Sequence, residues 1–455
     1  MIEVRTLPPG FEVPSTRALA DDLAIARNTV VATYDQLVTE GFLLNRRGAR
    51  SIVIVLPAMP VPSQHSAAQP PRRALSARGE TMTHQPIHHG TPGRFAFHPG
   101  MPDARSFPYR EWSKLVTKRA GAGGESLFGT YHVVGLPALR EAIADYLRAA
   151  RGVHCNAEQV VVTTGAQATF DLLARLLLDP GDSVWMEEPG YFGAQSAFVA
   201  AGARLVELPV GVNGWQLTPA PSPPPRLFFV TPACQHPLGV TMPMEQRLRL
   251  LEIADQCDAW VIEDDFDGEY RFQGRPIPAL QGMDRSERVI YVGTFAKILF
   301  PALRLGFMVL PQALHERMPQ ALSTTGQFAP LLLQAAVADF INQGLMTRHL
   351  KRMRRVYAAR RRQFHELCES NLSGRLTLLS GDAGIQVVGI LHESLDDNAI
   401  AATAEQLGIN VSPLSKYYRH GRPTHGLVLG YAACDDNQMR HGIQRLGEAI
   451  AANWH

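Results

Sequence analysis

From Phe95 to the C-terminus, apolar runs of strand length alternate with longer amphipathic stretches. The runs include Gln159-Val160-Val161-Val162-Thr163, Ser183-Val184-Trp185-Met186, Leu227-Phe228-Phe229-Val230, Trp260-Val261-Ile262 and Val289-Ile290-Tyr291-Val292. Each is followed by a loop containing Gly or Pro and then by a stretch of helical length. Strands that are apolar on both sides need both faces covered. A mostly parallel α/β sheet with helices on both faces meets that need.

At 455 residues the chain is too long for a single hydrophobic core, so two or three domains are expected. Composition divides it into residues 1–55, a segment at 56–93 rich in Pro, Ser, Ala, Gln and His, and residues 94–455. The middle segment lacks core-forming periodicity and reads as an extended linker. Within 94–455, a large part is expected at about 130–320 and a small part in the remainder. Hydrophobic content of 45% and charged content of 19% fit a folded chain. No apolar run reaches the roughly 18 residues of a membrane span, and Met1-Ile2-Glu3-Val4-Arg5 does not resemble a signal peptide. Five cysteines without CxxC spacing argue against zinc and disulfides, and for a reducing cytoplasm. A net charge of +2 makes no case for nucleic acid, so any DNA contact must come from local patches.

One such patch opens the chain. Ser15 is placed to cap a short amphipathic helix that runs to Leu23. Ala24-Ile25-Ala26 makes a tight connection to a second helix from Arg27, with Val30, Tyr34, Leu37 and Val38 on one face. Arg27, Asn28 and Thr29 are left at its N-terminus, the end that enters the major groove in a helix-turn-helix. Gly41 ends the helix. Phe42 to Val55 reads as a two-stranded wing with Arg46 and Arg47 at its tip. Residues 1–55 hold six Arg against six acidic residues, so the pattern rather than the charge carries this reading.

A second constellation surrounds Lys297 in Gly293-Thr294-Phe295-Ala296-Lys297, with Arg304 seven positions later. An amine flanked by a hydroxyl and a guanidinium can condense with an aldehyde while its neighbours hold a phosphate, which is the layout of a pyridoxal-phosphate site. Asp264, 33 residues upstream, ends an apolar run and could keep a pyridine nitrogen protonated. Thr164-Gly165-Ala166-Gln167 lies between a strand and a helix, where backbone N–H groups suit a phosphate. Tyr191, after Pro189-Gly190, could stack on the ring.

The motifs Pro14-Ser15, Arg17, Leu19-Ala20, Arg27-Asn28-Thr29-Val30, Tyr34, Leu37 and Glu40-Gly41-Phe42 resemble the winged helix of GntR-superfamily regulators. The blocks Phe97 to Asp103, Thr164 to Gln167, Glu188 to Tyr191, Thr231-Pro232 with Gln235 to Gly239, Glu263 to Phe266 and the Lys297 segment resemble a fold type I, aspartate-aminotransferase-like domain. Together they identify a MocR-type regulator. The resemblance implies an N-terminal winged helix-turn-helix, contacts to double-stranded DNA through Ser15, Arg17, Arg27, Asn28, Thr29, Arg46 and Arg47, and a homodimer. It implies pyridoxal 5'-phosphate on Lys297, held by Gly165, Ala166, Gln167, Tyr191, Asp264, Thr294 and Arg304. It also implies a ring-oxygen contact from Gln235 or His236.

The chain departs from the family pattern in ways that matter. Family members carry another helix before the position of Pro9-Gly10, which implies a misplaced start or a truncated reader, with Leu19, Leu23 and Leu37 exposed. The wing has Arg46-Arg47-Gly48-Ala49-Arg50 where a Gly-Ser-Gly turn is usual. Phe266 and Ala296 stand where many relatives have Tyr and Ser, and Cys234 replaces a common His. Gly426 to Ala432 lacks the arginine that holds a substrate carboxylate in aminotransferases; Arg419 and Arg422 are the candidates nearby. Residues 347–362 hold eight Lys or Arg and no acid, a basic helix face that would be solvated or would guide DNA. The resulting expectation is a regulator that senses an amine, an amino-acid-like effector or the cofactor itself. The alternative is an aminotransferase with a vestigial DNA-binding segment.

Overall fold

The structure, a computed structural model, describes residues 7–45, 50–54, 74–83, 96–217, 223–272, 274, 277–381, 383–392, 395–420 and 423–454. The chain forms two units, Met1–Ala74 and Leu75–His455.

In the first unit, α1 (Thr16–Leu23) and α2 (Arg27–Thr39) precede a short antiparallel pair, β1 (Leu43–Leu44) with β2 (Ile52–Val53). Ser15 caps α1 by accepting a hydrogen bond from the Ala18 N–H at 3.2 Å. The turn after α1 places Ala24 in the left-handed region at φ 53. Gly41, at φ 77, lets the chain turn back so that the Phe42 N–H reaches the Leu37 carbonyl at 2.8 Å. Val13, Ala20, Val30, Tyr34, Leu43 and Val53 form the core, with Leu19, Leu37 and Val38 packed at its edge. The Tyr34 hydroxyl donates to the Pro14 carbonyl at 2.9 Å, tying α2 to the segment before α1. Of the three leucines expected to be uncovered, Leu23 is 57% exposed, while Leu19 and Leu37 are half-buried. Arg46 and Arg47 lie outside the described residues.

The second unit is built on an eight-stranded sheet. Its strands are β3 (Val160–Thr163), β4 (Ser183–Glu188), β5 (Arg204–Gly211), β6 (Gly214–Trp215), β7 (Leu227–Val230), β8 (Trp260–Asp265), β9 (Val289–Thr294) and β10 (Gly306–Val309). The order is β3-β10-β9-β8-β7-β4-β5-β6. β5, β4, β7, β8 and β9 run parallel, while β10 lies antiparallel between β9 and β3. Each of β3, β4, β7 and β9 is buried along its whole length, as helices on both faces require. A second, antiparallel sheet holds β11 (Leu376–Leu378), β12 (Gln386–Leu391), β13 (Ser412–Pro413) and β14 (Gly426–Gly430) in the order β11-β12-β14-β13. The C-terminal ends of β3, β8 and β9 and the start of β10 meet at one edge, the usual place for a ligand in such sheets.

The segment at 56–93 departs from a wholly extended linker. Within it, α3 (Ala77–Thr83) forms and packs on the helix Phe192–Ala200. Ser76 supplies what periodicity did not: its hydroxyl accepts from the Gly79 N–H at 3.0 Å and starts the turn.

Candidate cofactor site

The strand ends enclose a cavity of about 220 Å³ lined by Gly165, Ala166, Gln167, Tyr191, His236, Asp264, Phe266, Thr294, Ala296, Lys297, Pro301, Arg304 and Leu305. Residues up to 140 positions apart in sequence converge here because β10 lies between β9 and β3. This close fit requires Gly306: a Cβ there would stand 3.1 Å from both Gly165 Cα and the Gly293 carbonyl oxygen.

One end of the cavity suits an anion. Gly165, at φ 109, caps the helix Ala166–Leu177, whose first N–H groups have no partner within the helix. A Cβ on Gly165 would lie 3.8 Å from the Arg304 guanidinium carbon, so loop and arginine address the same space. Thr294 closes β9, and its hydroxyl accepts from the Ala296 N–H at 3.1 Å. Gln167 is held by its own bond, its Nε2 donating to the Gly193 carbonyl at 2.8 Å.

Asp264 enters from the end of β8. It is 4% exposed, and its Oδ1 has no hydrogen-bond partner among the described residues. Burial, reinforced by Asp265, pushes its carboxyl well above the ordinary range. A carboxylate left in this state calls for a cation or a donor from whatever fills the cavity. The Lys297 amine donates to the Gly100 carbonyl. Burial lowers its pKa from the lysine value, which favours the neutral, nucleophilic form. An acidic group for a ring nitrogen, a neutral amine for an aldehyde and a helix N-terminus with an arginine for a phosphate all fit pyridoxal phosphate.

The structure separates the two candidates for the ring-oxygen contact. His236 lines the cavity, its ring packed edge-on to Tyr191, Phe266 and Tyr417 at 5.3, 5.3 and 5.4 Å. Gln235 turns away. Its Nε2 donates to the Pro189 and His236 carbonyls at 2.8 and 2.7 Å, and its Oε1 accepts from the Leu238 N–H at 3.0 Å. It therefore shapes the loop and does not line the cavity. Beneath it, Glu187 accepts from Trp215 Nε1, the Thr231 N–H and the Thr231 hydroxyl at 2.7, 2.8 and 2.5 Å. Burial pushes Glu187 up to about 7. Sequence reasoning missed this cluster, although two acids ending the apolar run of β4 were its signal.

Arg419 does not line the cavity. Its side chain is exposed, and its N–H is bound by Glu188. Arg422 lies outside the described residues. The basic stretch at 347–362 belongs to the helix Leu345–Leu372. Three of its arginines are tied to other segments: Arg354 donates to the Glu269 carbonyl at 2.6 Å, Arg360 pairs with Asp103 at 2.9 Å, and Arg361 donates to the Gly381 carbonyl. Arg348, Lys351, Arg352, Arg354, Arg355 and Arg362 are exposed, so six of the eight basic residues lie on the outer face. No helix among the described residues is long and apolar enough to cross a membrane.

Residues 103–446 match the family of aminotransferases of class I and II. A probable rhizopine catabolism regulatory protein of Rhizobium meliloti is 49% identical over 97% of this chain and 89% of its own length. An uncharacterized HTH-type transcriptional regulator of Bacillus subtilis is 31% identical over 97% of this chain and 92% of its own. The crystal structure of an α-aminoadipate aminotransferase from Thermus thermophilus, complexed with N-(5'-phosphopyridoxyl)-L-leucine, superposes with a TM-score of 0.72 at 28% identity. That match covers 79% of this chain and 93% of the enzyme.

Proposed function

As a member of the MocR-type family, this chain is a pyridoxal-phosphate-dependent transcription regulator that binds DNA, and we propose that it senses a small amine in the Lys297 cavity. The observation that carries this reading is the joining of two parts in one chain: a cavity where Lys297, Asp264 and Arg304 meet, and a helix-turn-helix unit with Arg27, Asn28 and Thr29 exposed at the start of α2. Lys297 is the residue that takes the cofactor. Gly165, Ala166, Thr294 and Arg304 hold its phosphate, Asp264 its ring nitrogen, Tyr191 its ring face and His236 its ring oxygen.

Ser15, Arg17, Arg27, Asn28 and Thr29 meet the duplex, the first two at phosphates and the α2 residues in the major groove. Ser15 can do so while capping α1, because its oxygen accepts and its proton stays available to a phosphate. The likeness to the Rhizobium meliloti regulator supports control of genes for breaking down rhizopine or a related amine. Fold type I sites characteristically lie at a dimer interface, so we infer a homodimer that works in the cytoplasm beside its DNA. Residues 1–55 act as the reader, 56–93 as the connection and 94–455 as the sensor.

Two measurements test the reading together. Purified protein supplied with pyridoxal phosphate should develop the visible band of lysine-bound cofactor, and Lys297→Ala should not. A gel shift of the DNA upstream of the gene should be lost with Arg27→Ala and altered by the effector. Sustained amino transfer to a keto acid at ordinary enzyme rates, with no DNA shift, would overturn it in favour of an enzyme.

A further inference from the structure

The helix Leu345–Leu372 has two unlike sides. Met346, Leu350, Met353, Tyr357 and Phe364 are buried. Opposite them, Lys351, Arg352, Arg355 and Arg362 follow Arg348 by three, four, seven and fourteen residues, which puts all five on one stripe. All five are exposed. Arg348 donates to the Gln343 carbonyl at 3.2 Å and Arg352 to the Ser106 carbonyl, neutral partners that leave the charge in place. Lys351, Arg355 and Arg362 have no carboxylate partner among the described residues. From Arg348 to Arg362 the stripe runs about 21 Å, the length of about six base pairs of duplex. Beyond Arg362 the helix turns acidic, with Glu366 and Glu369 exposed, so the stripe has an end.

Beside the stripe lies a hollow of about 740 Å³, lined in part by Arg355, Arg361, Arg362, His365 and Glu366. Arg361 is held over the Phe272 ring at 5.8 Å, and His365 Nε2 has no partner among the described residues. An extended anion can therefore sink against the helix as well as touch its crest.

This surface supplies what the reader lacks. Residues 1–55 hold six Arg and six Asp or Glu, so they bring no excess charge to a polyanion. Residues 347–362 hold eight Lys or Arg and no acid, in a chain whose total excess is two. Sequence-independent affinity for duplex DNA comes from cations that neutralise phosphates and release counterions. A single small anion needs one cluster of donors, whereas a row of cations over about 21 Å suits a rigid, repeating anion. Double-stranded DNA is such an anion, and the chain is a DNA-binding regulator.

We propose that the stripe from Arg348 to Arg362 is a second DNA contact, on the sensor unit, where Lys351, Arg355 and Arg362 bind backbone phosphates without reading bases. It rests on the chain acting as a DNA-binding regulator. The reader supplies sequence and the stripe supplies affinity.

The test uses full-length, cofactor-loaded protein and two duplexes of equal length, the DNA upstream of the gene and a scrambled sequence. Each Kd is measured over a range of NaCl. The variant Lys351→Gln, Arg355→Gln, Arg362→Gln should bind both duplexes at least about tenfold more weakly at physiological salt, and its salt slope should fall by about two to three. The ratio of the two affinities should stay as in the wild type. Lys351→Arg, Arg355→Lys, Arg362→Lys keeps the charge and should keep the wild-type slope. If the Gln variant has lost its visible cofactor band, each single Gln substitution should lower the slope by about one. An unchanged slope, or a loss confined to the upstream sequence, would overturn the proposal. So would a loss seen only with single-stranded RNA of the same length. An altered oligomeric state of the DNA-free Gln variant in sedimentation would assign the face to contacts between copies and overturn it as well. Failure of the wild type to bind either duplex would defeat the regulator reading itself, and this proposal with it.

Discussion

Asp264 and Asp265 are adjacent on β8 and face opposite environments. Asp265 accepts at Oδ2 from Arg151 Nε at 2.8 Å and from the Tyr291 hydroxyl at 2.6 Å, a buried ion pair inside the fold. Asp264 points the other way and presents an unpartnered Oδ1 to the cavity. Alternation along a strand assigns one carboxylate to the fold and its neighbour to the ligand. Asp264→Asn should weaken pyridoxal phosphate binding by more than tenfold with little change in urea stability. Asp265→Asn should cost about 3–5 kcal/mol by leaving Arg151 buried without its charge partner. Cofactor titration and denaturation of both variants check the division. Equal effects on stability would contradict it.

Gly165 holds φ 109 beside Arg304. Gly165→Ala should cost about 1–3 kcal/mol of backbone strain and misplace the anion-binding N–H groups. Inorganic phosphate should then compete at least tenfold less well for the cofactor site, as measured by displacement of pyridoxal phosphate.

The depressed pKa of Lys297 sets a pH profile. Cofactor capture needs the neutral amine, so its rate should rise with pH and level off below the ordinary lysine value of 10.5. Stopped-flow mixing of cofactor-free protein with pyridoxal phosphate across pH gives the midpoint. A midpoint at or above 10.5 would show that burial does not tune this lysine.

Glu263 is fully buried beneath the site, and desolvation pushes it up to about 7. A carboxyl whose folded pKa is raised favours the fold while neutral. Its contribution is complete below the unfolded value near 4.5 and is lost as pH rises to about 7. Glu263→Gln should flatten the fall in stability between those two pH values. It should also cost about 1–3 kcal/mol, because one of the Leu280 and Gln281 N–H groups loses its acceptor. Urea titrations at pH 5 and 7 read both effects.

In the reader, Ser15→Ala should destabilise α1 by about 1 kcal/mol. Arg27→Ala should leave stability unchanged and reduce the salt dependence of DNA binding by about one counterion. A variant that keeps the full salt slope would place Arg27 away from phosphate.

Much of this architecture was legible from local pattern. Apolar strand runs mark β3, β4, β7, β8 and β9, and the Lys297, Asp264 and Gly165 motifs each sit at a strand end where short-range sequence rules apply. Gln235 and His236 could not be told apart that way, because neighbours in a loop differ only in the direction the backbone turns them. The basic outer face of the helix Leu345–Leu372 was legible from its run of Lys and Arg without an acid, but the carbonyls that Arg354 and Arg361 reach were not, because they belong to other segments.

The helix Phe192–Ala200 carries Tyr191 at its N-cap and α3 on its flank. Tyr191 touches the ligand space, and α3 belongs to the segment that leads back toward the DNA reader. One nine-residue helix thus bears both a wall of the ligand space and a turn of the 56–93 segment, so a ligand that displaced Tyr191 would be felt directly by α3.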